Sequence, residues 1–94
     1  MMDKQELYEI IEHKQAEVLD LSDKIWGYAE LSMLEYKSTA AYVELMKKEG
    51  FQVTENLCGI PTAFCGSYGE GSPRIGILGE YDALSGLSQE SGAA

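Results

Sequence analysis

Positive charge is scarce in this chain: seven Lys and Arg residues stand against sixteen Asp and Glu, and one histidine, for a formal charge of −9. Nucleic acids and anionic membranes recruit clustered Lys and Arg, so the balance argues against both as partners. Long apolar runs are also missing, and none is of the length that spans a bilayer. The start, Met1-Met2-Asp3-Lys4-Gln5-Glu6, lacks the basic flank and apolar core of a signal peptide, which points to a cytoplasmic location. There are two cysteines, Cys58 and Cys65. Without a secretory signal they are expected as free thiols, their spacing matches no zinc motif, and Cys65 reads as a small buried apolar side chain in a strand. The lone histidine, His13, lies between Glu12 and Lys14, off the apolar stripe and without a ligand-type residue at a convincing spacing on its face, so it reads as solvated.

What the chain does have is an ordinary globular composition, 45% hydrophobic and 24% charged over 94 residues, enough for one small domain. From Asp3 to about Tyr28, Leu7, Ile11, Val18, Leu21, Ile25 and Tyr28 recur at spacings of three, four or seven and lay a stripe along an amphipathic helix. Asp3 with Glu6 offers an N-cap and a capping-box partner, and Trp26 reads as an apolar plug where this helix meets the core. Ser32-Met33-Leu34-Glu35 repeats the capping-box spacing, so a second helix is expected to begin between Ser32 and Ser38. It carries Tyr36, Ala40, Val43 and Met46 on one face and stops at Gly50 after Lys47 and Lys48, forming an antiparallel pair with the first.

Phe51-Gln52-Val53-Thr54 alternates apolar with polar as a half-buried strand does, and Thr62-Ala63-Phe64-Cys65-Gly66-Ser67-Tyr68 reads as the next strand, with Gly66 marking a bulge or a close approach. Gly69-Glu70-Gly71-Ser72-Pro73 lacks the Lys-Ser or Lys-Thr of a phosphate-binding loop and is expected as a hairpin connection. A third strand follows over residues 74–80, where the apolar run Ile75-Gly76-Ile77-Leu78 ends in Glu80-Tyr81-Asp82. On an extended chain residues two apart share a face, so Glu80 and Asp82 project together and Tyr81 points away from them. Paired carboxylates at a strand's end can hold a metal, orient a metal-bound histidine or share a proton; they can equally mark the place where a buried strand reaches water. From Ser85 to Ala94 the chain is small and polar, and reads as a loop interrupted partway.

The segment Gly79-Glu80-Tyr81-Asp82-Ala83-Leu84, with Gly86-Leu87-Ser88-Gln89 after it, closely resembles the aminobenzoyl-glutamate hydrolase branch of the zinc-dependent amidohydrolases and metallopeptidases. The likeness extends, in the same order, to Trp26-Gly27-Tyr28-Ala29-Glu30-Leu31, Glu35-Tyr36-Lys37-Ser38, Gly50-Phe51-Gln52-Val53 and Gly59-Ile60-Pro61-Thr62-Ala63-Phe64. It implies an α/β fold, residues 1–94 being the amino-terminal portion of a zinc-aminopeptidase-like α/β/α catalytic domain, two helices followed by three strands of a mixed sheet. In that family a His-x-Asp motif ends this strand, the histidine on zinc and the aspartate supporting the site. Asp82 matches the aspartate and inherits its role, whereas Glu80 stands where the histidine would be. Ser85 replaces the proline that usually follows Asp-Ala-Leu.

The resemblance also implies zinc or a similar divalent ion and a small amide of the N-acyl or aminobenzoyl amino-acid type as substrate. The family's Gly-His-x-Cys-Gly-His ligand motif and its catalytic glutamate do not occur by Ala94. A zinc hydrolase uses about three or four protein ligands and an activated water, so residues 1–94 alone are expected to bind no metal and to be inactive. Two other readings stand beside this one. An interaction module would use the unfinished sheet to pair with a partner, with a copy of itself or with a missing carboxyl-terminal portion. A small domain would hold a hard cation through Glu80 and Asp82, although Ca²⁺ takes six or more oxygens.

Overall fold

Asp3 opens the longest element of the chain, its side chain accepting the Glu6 backbone N–H at 2.8 Å. In this computed structural model, which describes residues 2–87, helix α1 runs over Lys4–Tyr28. It ends at Ala29, which adopts the left-handed conformation (φ 47°) and donates its N–H to the Ile25 carbonyl. Helix α2, Tyr36–Lys48, lies antiparallel to it: the Lys14–Glu49 and Glu17–Lys48 ion pairs, at 2.6 and 2.9 Å, tie the middle of α1 to the end of α2. At the opposite end the Lys37 ammonium sits 5.9 Å from the Tyr28 ring centroid.

α2 stops as its sequence dictates. Gly50 takes φ +89°, its N–H bonds the Lys47 carbonyl, and the Phe51 N–H reaches back to Met46, the paired bonds of a Schellman motif. That turn feeds strand β1, Gln52–Glu55, which pairs antiparallel with strand β2, Phe64–Ser67, with Val53 opposite Gly66 and Glu55 opposite Phe64. A short 3-10 turn, Leu57–Gly59, lies between them. Gly66 is a close-approach position: a Cβ there would overlap the Met46 methyl, so glycine lets α2 settle onto the sheet.

The expected third strand is not formed; residues 74–80 pair with no other segment among the described residues. A strand is held by its ladder, and here the segment stands apart from β2 across an open cleft, leaving Ile75, Ile77 and Leu78 at 86%, 95% and 94% exposure. The linker 69–73 consequently joins no hairpin. In place of a mixed sheet there are, among the described residues, two antiparallel strands and one isolated parallel bridge, Leu31 to Ala83.

Burial differs from expectation in two further places. Trp26 is 47% exposed rather than a plug, because only Leu21 and Ile25 of the α1 stripe reach partial cover. At 25 residues α1 is nearly twice as long as the 13-residue α2, so Leu7 and Ile11 near its start also remain exposed. Cys65 lies on the exposed face of β2, and both it and Cys58 are free thiols at the surface. Among the described residues Val43 is the fully buried apolar side chain, with Tyr42, Phe64 and Tyr81 half-buried. No helix among the described residues is long and apolar enough to cross a membrane. Of the loop expected over 85–94, residues 88–94 lie outside the described residues.

Candidate functional site

The carboxylate pair lies on a segment that alternates as an extended chain should. Glu80 and Asp82 are exposed, and Tyr81 between them is half-buried. All three line a cleft of about 670 Å³ whose other wall includes Met46, Leu57 and Phe64, and to which Ile77 and Leu78 contribute apolar surface.

Tyr81 turns into the protein. Its ring stands 6.0 Å, centroid to centroid, from both Tyr42 and Phe64, which are themselves 5.1 Å apart in a tilted arrangement. Its hydroxyl donates to the Thr62 carbonyl and shares a 2.6 Å hydrogen bond with Thr39 Oγ1. With the Tyr81 proton on Thr62, Thr39 is the donor of that bond, and its single hydroxyl proton is shared between the Tyr81 oxygen and the Glu35 carbonyl, 2.7 Å away within the first turn of α2. Burial pushes the Tyr81 phenol above its usual range; the Thr39 hydrogen bond opposes this and the nearby Glu35 and Glu30 charges add to it, so the hydroxyl stays protonated at neutral pH.

Two residues later, the Ala83 N–H donates to the Glu30 carbonyl at 2.7 Å. The Glu30 side chain works in the opposite direction. Its carboxylate accepts the Lys37 and Ser38 backbone N–H groups at 2.9 and 2.7 Å, capping α2 from the α1–α2 connection. Burial acts against the charged form of Glu30, yet those backbone N–H donors prevail and hold its carboxyl below the usual range. The Ser32-x-x-Glu35 spacing is therefore not the cap. Glu35 is the cap residue without a side-chain cap bond, and its carboxylate instead accepts the Met33 N–H at 2.9 Å.

The structure thus brings Asp82 and Glu80 to one cleft, which exposed Cys65 also lines, and places His13 and Cys58 on exposed surface outside it. Sequence reasoning gave no functional weight to Tyr81, Thr39, Thr62 or Glu30. The parity of the 80–82 segment was the one signal that Tyr81 faces inward; its partners come from distant parts of the chain. Among the described residues no three His, Cys, Asp or Glu side chains converge to hold a metal ion, so this donor set does not fit a zinc site and no chemical step can be drawn through a metal here.

Over an alignment of 94 residues, 96% of this chain, the sequence is 42% identical to a subunit of the p-aminobenzoyl-glutamate hydrolase of Escherichia coli (strain K12). The chain is similar to one part of that hydrolase subunit. That similarity agrees with the resemblance to the aminobenzoyl-glutamate hydrolase branch read from the sequence. The chain spans about one fifth (20%) of the length of the relative it matches. No family model matches the chain, and no solved structure does either.

Proposed function

We propose that these residues form one wall of the active site of a metal-dependent amidohydrolase, which cleaves an amide bond of an N-acyl or aminobenzoyl amino-acid-type substrate. The observation that carries the reading is the 42% identity to a p-aminobenzoyl-glutamate hydrolase subunit, together with the placement of Asp82 on a cleft. Asp82 is assigned a supporting role at the reacting centre and Glu80 stands beside it. The remaining donors that zinc or a similar ion needs must come from residues outside those described, since a hydrolytic metal takes about three protein ligands. On this reading residues 1–94 alone are inactive. The relative's designation as a subunit supports a second polypeptide as partner.

The test is hydrolysis of p-aminobenzoyl-glutamate by the polypeptide purified as expressed from its natural locus, followed by release of p-aminobenzoate. Metal-dependent release by the assembly copurified from that locus, lowered by Asp82→Asn and not seen with residues 1–94 alone, supports the assignment, and no release by that copurified assembly under any metal supplementation contradicts it.

The exposure of Ile75, Ile77 and Leu78 favours a second reading, an interaction module whose apolar segment is covered by a partner or by a copy of itself. Sedimentation distinguishes it: a concentration-independent monomer with a cooperative melt counts against this alternative.

A further inference from the structure

Asp82 is held on both sides, and Glu80 is not. On one side the Tyr81 hydroxyl is clamped between Thr39 Oγ1 and the Thr62 carbonyl, which joins the segment to α2 and to the approach to β2. On the other, the Ala83 N–H is fixed to the Glu30 carbonyl, and Ala83 forms the isolated parallel bridge with Leu31. Ahead of Glu80 the chain is open to solvent from Gly69 onward. Two adjacent peptide units with fixed flanks leave the Asp82 backbone little freedom, so its carboxylate starts from a defined place on the cleft wall.

We propose that Tyr81 is the positioning residue for Asp82: its hydroxyl, locked to Thr39 and Thr62, fixes the peptide from which the Asp82 carboxylate projects onto the cleft. The inference rests on the amidohydrolase reading for what Asp82 does there; the placement itself does not depend on it. The bond network identifies the hydroxyl, not only the ring, as the working part. Tyr81→Phe keeps the ring against Tyr42 and Phe64 and removes the clamp. The raised phenol pKa is consistent with a hydroxyl that serves as a permanent donor and never as a base.

The experiment pairs two readouts. Amide hydrogen exchange on the full chain is compared between the native sequence and Tyr81→Phe, with Thr39→Ser as the conservative variant that keeps a hydroxyl partner. Exchange at Ala83 is expected to rise about tenfold in Tyr81→Phe, with the amides of α2 unchanged and Thr39→Ser close to native. In the polypeptide from its natural locus, Tyr81→Phe is expected to lower kcat about tenfold with KM within about twofold, the pattern of a misplaced group and not of lost binding. Unchanged exchange at Ala83 overturns the proposal. So does exchange that rises equally at all protected amides, or a normal kcat in Tyr81→Phe where Asp82→Asn is impaired. A native protein that releases no product, or an Asp82→Asn variant as active as native, removes the hydrolase reading alone, and the exchange measurement still decides the placement.

Discussion

Replacing Ile75, Ile77 and Leu78 together by serine should scarcely change the stability of this chain, although they form its most apolar run. Fully burying one Ile or Leu side chain is worth about 1.5–3 kcal/mol. Here these side chains keep 86%, 95% and 94% of their surface in water, so together they bury about a quarter of one side chain's area. The stabilisation at risk is therefore about 0.5 kcal/mol, a melting shift of roughly 2–4 °C for a domain of this size. Had the segment been a covered strand, the same triple substitution would cost at least about 5 kcal/mol, comparable to the whole stability expected of a small domain. Urea unfolding followed by circular dichroism measures the difference, and the denaturant slope checks that the exposed area is unaltered. A loss above about 2 kcal/mol in the monomer would contradict this expectation, because it would require these side chains to be buried.

Other perturbations probe the rest of the fold. Val43→Ala removes two methyl groups from a fully buried apolar side chain and should cost about 2 kcal/mol, read from the same urea midpoint. Gly66→Ala should force the Met46 methyl aside and lower the melting temperature, whereas adding Met46→Ala should relieve that clash and make the two effects non-additive in a double-mutant cycle. The Glu30 carboxyl is held below its ordinary value of 4.5, so the folded state takes up its proton less readily than the unfolded chain. Its contribution to stability is present above that value and is lost as pH falls through it and below. Helicity followed from about pH 6 to about pH 3 should therefore decline less steeply in Glu30→Gln than in the native chain, and identical profiles would contradict the capping role.

The parts of the fold governed by local rules were legible in the sequence. Asp3 is an N-cap because its short carboxylate reaches an N–H three residues on, and Gly50 ends α2 because a left-handed residue is needed there. Gly66 suggested a bulge or a close approach; the strand register is regular there, and it is the close approach, by Met46, that is realised. What periodicity could not convey was partnership at a distance. Glu30 caps a helix that begins six residues later, and no spacing rule anticipates this, whereas the Ser32-x-x-Glu35 pattern pointed to a cap that does not form. Residues 74–80 have a strand's composition, but a strand also needs a neighbour, and none is supplied among the described residues. At the site, the alternation of Glu80, Tyr81 and Asp82 was readable. The clamp on Tyr81 joins positions 19 and 42 residues away and emerges only when α2 and the approach to β2 fold together.

Whether Asp82 works at a reacting centre is decided most directly by the rate at which the protein expressed from its natural locus releases p-aminobenzoate from p-aminobenzoyl-glutamate, measured for the native sequence and for Asp82→Asn at equal folded concentration. A loss of about 10- to 100-fold is expected, the range found when a group supporting a metal centre is removed. Equal rates in the two proteins would take Asp82 out of the chemistry.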